Sequence, residues 1–110
     1  MAAVPFKFTT TASTNLQPTR AGQTANLKGL SVANVATAIY IKFYWVNAIP
    51  VVGTTVPNLT AGFAASANVL QSWPDGITGN GELWVAVSAA AADSDSANAA
   101  AGAVVTLLVE

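Results

Sequence analysis

The sequence contains no cysteine and no histidine. Their absence removes disulfides, thiolate nucleophiles, imidazole bases and the usual zinc, copper and iron ligand sets in one step. It leaves the redox compartment undetermined, because a chain without Cys folds equally well in either. Charge is nearly as scarce: four Lys or Arg and five Asp or Glu among 110 residues make 8%, where an ordinary soluble domain has about 25%. A net charge of −1 offers phosphates nothing to hold, so no nucleic-acid partner is expected. Disorder is excluded from the other side, since disordered chains join low hydrophobicity to high net charge and this one is 53% apolar. The first residues carry no basic segment ahead of an apolar run, so no signal peptide is expected. The two most apolar windows, 36–52 and 84–109, are broken by Lys42, Asn47 and Pro50 and by Asp93 and Asp95. Neither reaches the ~20 apolar residues of a spanning helix, and no membrane partner is expected.

What the chain does have is a hydrophobic period of two. In residues 36–46, Ile39, Ile41, Phe43 and Trp45 alternate with Tyr40, Lys42 and Tyr44, which predicts one strand with a buried stripe. Val4, Phe6 and Phe8 alternate in the same way, with Pro5 marking an edge strand. Leu27, Leu30 and Val32 change phase across Gly29, which fits a bulge. Leu83, Val85, Val87 and Ala89 follow Gly79-Asn80-Gly81, read as a hairpin turn. Weaker strands are expected at 58–63 and 68–73. The last run, 103–109, is apolar at both parities except Thr106, as in a strand covered on both faces. Turn residues, Trp73-Pro74-Asp75-Gly76 among them, separate these runs. About seven or eight short strands so spaced predict an all-β fold, an antiparallel β-sandwich of jelly-roll-like type. Length favours a single domain, with residues 1–20 as an N-terminal strand or arm and 21–110 as the sandwich. Residues 89–103, rich in Ala around Asp93-Ser94-Asp95-Ser96, read as a long loop with at most one helical turn.

Catalytic chemistry finds little to work with. Asp75 and Glu82 are near each other in sequence, but an Asp in Pro-Asp-Gly is ordinarily a turn residue. Ser88 has no His to activate it. Gly76, Gly79 and Gly81 are not followed by the Lys of a phosphate loop and read as hairpin glycines. Asp93-x-Asp95 fails as a calcium loop, because Asn98 and Val104 stand where an EF-hand needs Gly and Glu. The expectation is therefore no enzyme, no cofactor and no metal. Tyr40, Tyr44 and Trp84 lie on faces opposite the apolar stripes. They fit three roles: rings beneath a covering loop, the centre of a protein interface, or a flat platform for a sugar ring.

The order Ala38-Ile39-Tyr40-Ile41-Lys42-Phe43-Tyr44, then 48–57 through Val51-Val52-Gly53-Thr54 to Pro57, Gly76-Ile77, Leu83-Trp84-Val85-Ala86-Val87 and Ala92-Asp93-Ser94-Asp95 resembles small all-β virion proteins of tailed phages and prophages. The resemblance spans residues 23–110, and no single motif in it is specific. It departs at Thr54-Thr55-Val56, where the family pattern carries an Asp, and in a more apolar last strand. It implies a structural protein without catalytic residues, a cement or decoration subunit on the capsid surface that stabilises the shell by bridging capsid subunits. A head- or tail-fibre component is the alternative. The implied partners are other copies, as a homotrimer at local symmetry axes, and the major capsid protein. On this reading the interface residues are Tyr40, Tyr44, Trp84, Val104 and Leu108.

Overall fold

A computed structural model describes residues 3–11, 16–18 and 24–110. These form eight strands: β1 Val4–Thr9, β2 Leu16–Pro18, β3 Leu27–Ala33, β4 Ile39–Trp45, β5 Leu59–Phe63, β6 Val69–Ile77, β7 Leu83–Ser88 and β8 Val104–Val109. No helix among the described residues is long and apolar enough to cross a membrane. The strands make two four-stranded antiparallel sheets, in order β1-β8-β3-β6 and β2-β7-β4-β5. Four of the pairings, β1 with β8, β2 with β7, β3 with β6 and β4 with β5, are those of one long hairpin whose tip lies between β4 and β5. Pairing of β3 with β8 and of β4 with β7 then rolls that hairpin up. The result is a jelly roll, a double-sheet sandwich.

The inner faces are the stripes that alternation predicts. Ile39, Ile41, Phe43 and Trp45 of β4 and Leu83, Val85 and Val87 of β7 pack against Leu27, Leu30 and Val32 of β3 and Val105, Leu107 and Val109 of β8. Each such side chain contributes about 1.5–3 kcal/mol on burial. The core is thus shared between the sheets, and no strand is stable alone. The phase change at Gly29 appears as a register shift between Leu27 and Gly29 in both ladders of β3.

Residues 1–20, expected as a strand or arm, supply β1 and β2, one to each sheet, as far as they are described; residues 1–2, 12–15 and 19–20 of that segment lie outside the description. Two expectations are corrected. The Asn80-Gly81 segment is no hairpin, because β6 and β7 belong to different sheets and 78–82 crosses between them. Its glycines serve close approach. A Cβ on Gly79 would sit 2.5 Å from the Trp45 Cβ, and one on Gly81 2.9 Å from the Val46 backbone. Trp73-Pro74-Asp75-Gly76 is not a turn between elements but an irregular stretch inside β6, whose register with β3 jumps from Ser72 opposite Gly29 to Ile77 opposite Leu27. Lys28 Nζ donates to the Pro74 carbonyl there at 2.6 Å.

Residues 89–103 form a helix-free loop pinned at both ends. Ala89 N–H donates to the Ala97 carbonyl at 3.0 Å, and buried Thr10 donates from Oγ1 to the Ala100 carbonyl at 2.7 Å. Thr10 Oγ1 also accepts from Ala103 N–H at 3.0 Å.

Candidate functional site

The residues weighed for catalysis are not gathered. Asp75 is exposed inside β6, whereas Glu82 pairs with Thr24 just before β7. Ser88 is buried and donates from Oγ to the Ala90 carbonyl at 2.9 Å. Among the described residues there is no group of three or more His, Cys, Asp or Glu able to hold a metal ion.

The Asp93-Asp95 loop has an occupant from its own chain. Lys42, on the outer face of β4, is 0% exposed, and its Nζ donates to the carbonyls of Ala92 at 2.8 Å and Asp95 at 2.9 Å. The Asp95 carboxylate accepts from Ala90 N–H at 3.0 Å, which closes the loop on itself. Carbonyls that would suit a hard cation are thus taken by an ammonium.

That loop, together with residues 47–57, covers the outer face of the second sheet. Gly53 lies against Ser94 and Ser96, and a 320 Å³ cavity between the two loops reaches Leu16 and Ala86 beneath them. The aromatic residues therefore have different fates. Tyr44 is 0% exposed, so its assignment to an interface is corrected: the chain's own loops bury it. Tyr40 is half-buried, its ring lying over Gly62, where a Cβ would be 2.9 Å away. Trp84 is half-buried beside Tyr44, its cross-strand partner. The three rings form no exposed platform for a sugar.

Both Tyr44 Oη and Trp84 Nε1 are buried without a hydrogen-bond partner, an arrangement that costs about 1–3 kcal/mol for each group. Burial raises the Tyr44 hydroxyl above its ordinary value of 10.0, and the nearby Asp93 charge adds to the rise. The folded state then holds a proton that the unfolded chain releases near pH 10. The associated stability is present below that pH and is lost as pH climbs through the raised folded value. Tyr44→Phe is expected to match or exceed wild-type stability at neutral pH and to show a shallower fall in Tm above about pH 10. Superimposable Tm curves from pH 8 upward would contradict this.

The surfaces left open carry little charge and several apolar side chains. On the outer face of the first sheet, Val104 and Leu108 of β8 are half-exposed. Cross-strand rows there join Pro5, Leu108, Gly29 and Ser72, then Lys7, Thr106, Ser31 and Leu70, then Thr9, Val104 and Ala33. Lys7 is the one charge in these rows, and Leu70 is 79% exposed. A second apolar group lies on the loop across the second sheet, where Ile49, Val51 and Val56 are 69%, 59% and 66% exposed. Alternation arguments missed these three because they lie in no strand. The signal was nonetheless present, since no charged residue occurs between Lys42 and Asp75.

No family model matches the chain, and neither a curated protein nor a solved structure matches it.

Proposed function

We propose that this chain is a structural subunit of a phage virion, a cement or decoration protein that sits on the capsid surface and bridges major capsid subunits. One observation carries the reading. Four of the large apolar side chains left exposed, Ile49, Val51, Val56 and Leu70, fall within residues 43–74, a stretch without a single charge. Large apolar groups kept in water on an uncharged surface mark a protein contact, because interface centres are depleted in charge and cost little to desolvate. The jelly roll supports it, since viral capsid domains use this architecture, as do lectins and cupins. A sugar platform loses Tyr44, which is buried, and a cupin metal site lacks its histidines.

The mechanism is adhesion. The 47–57 loop and the outer face of the first sheet lie on opposite sides of the sandwich, so one subunit can hold two neighbours. Separating those neighbours under internal pressure then also requires breaking one of the two contacts. Placing Asp at Ile49 and Val56 together is expected to leave the fold within about 1 kcal/mol of wild type, since both sites are exposed. The same double variant should attach to particles at least about tenfold more weakly. Undiminished attachment would overturn the reading.

A further inference from the structure

The free edges of the two sheets differ in how they are protected. An edge strand is a row of unpaired peptide groups, and folds block it with proline, charge, irregularity or shortness. In the first sheet, β1 carries Pro5 and Lys7, and β6 carries Pro74 and Asp75 with its register broken opposite Lys28. In the second, β2 carries Pro18. β5, Leu59–Phe63, has none of these devices: it holds no proline and no charge, and its five-residue ladder with β4 is unbroken. Among the described residues it pairs with β4 alone. Leu59, Ala61 and Phe63, which face the core, are only half-buried, as is Trp73 on β6.

We propose that β5 is a self-association edge. Two copies pair β5 against β5, antiparallel about a two-fold axis, and join their second sheets into one eight-stranded sheet. The occupant follows from what the edge offers. A heterologous partner in a ring must present a different open edge, and the other three are blocked, which leaves the strand to meet itself in an isologous contact. With no charge from residue 43 to 74, the two copies set no like charges against each other. The half-buried flank of Leu59, Phe63 and Trp73 gains cover from the second copy. This edge therefore predicts a dimer, where the resemblance to virion proteins implied a trimer. The pairing does not depend on the virion reading, because it forms in the purified protein without a capsid.

The test is light scattering on the purified full-length chain, with hydrogen exchange across a dilution series. The expected result is a species of twice the 11.1 kDa chain mass, with β5 amides that lose protection on dilution while those of β3 and β8 do not. Thr60→Lys, which puts a charge on the edge, should raise the dissociation constant at least about tenfold, and Thr60→Val should leave it unchanged. A monomer at the highest soluble concentration, a trimer, or a dimer whose β5 amides ignore dilution would overturn the proposal. If Thr60→Lys does not fold, the wild-type exchange pattern decides. Capsid attachment is measured separately, so either idea can fail without the other.

Discussion

Replacing Trp45 with Ala is expected to destabilise the fold by about 4 kcal/mol or more, enough to unfold much of the population at physiological temperature. Truncating a buried Trp costs about 3–5 kcal/mol through lost transfer energy and the cavity left behind. Two further losses apply here. The Trp45 indole N–H donates to the buried Ala25 carbonyl at 2.9 Å, which would be left unpaired at about 1–3 kcal/mol. The ring also stacks on Phe43, with centroids 6.3 Å apart and planes 27° from parallel, and the crossover at Gly79 rests on it. Against a total of roughly 5–15 kcal/mol for a domain, such a sum is decisive. Trp45→Phe keeps an aromatic ring and loses the hydrogen bond, so it should cost less than half as much. Chemical denaturation reads both; equal losses for Phe and Ala would show that the hydrogen bond, and not ring packing, dominates.

Lys42→Met carries the second large effect, and its consequence is local. Methionine keeps most of the buried stem but removes two charge-assisted hydrogen bonds, each worth about 1.5–3 kcal/mol. Part of that is offset, because the variant no longer desolvates an ammonium. A net loss of about 2 kcal/mol is expected. The loop should respond more sharply than the core. Amides held within it, Ala89 on Ala97, Ala90 on the Asp95 carboxylate and Asp95 on Ala92, should lose at least about tenfold in exchange protection, a change of about 1.4 kcal/mol. Amides of β3 and β8 should follow only the global loss. Unchanged protection at 89, 90 and 95 would mean that Lys42 does not anchor the loop.

The fold was legible where one rule sufficed. Alternation placed β1, β3, β4 and β7 because each presents one face to a common core, and the phase change at Gly29 announced the bulge. β8 reads as a run apolar at both parities, and its outer face is half-exposed where that pattern predicts cover on both faces. Alternation missed β2, of which the three described residues, Leu16–Pro18, show no period. Asn80-Gly81 misled because the same dipeptide serves a tight hairpin and a close sheet-to-sheet crossing, and only the packing against Trp45 and Val46 separates them. The site was less legible. Parity put Tyr40, Lys42, Tyr44 and Trp84 on the outer face correctly, but it cannot say whether a loop returns to cover that face. The loops at 47–57 and 89–103 do return, the second held by Lys42, and so Tyr44 lies inside while Ile49, Val51 and Val56 are presented instead. Val104 and Leu108 are half-exposed on the outer face of the first sheet.

The central claim, that this chain is a resident of the virion surface, is tested most directly by the composition of particles. Intact particles from a culture encoding the chain would be banded on a density gradient and their proteins quantified by mass spectrometry. The account predicts that the chain follows the major capsid protein at a constant ratio across the particle band and through repeated banding. Its absence from that band, with the chain recovered only in the unsedimented fraction, would contradict it.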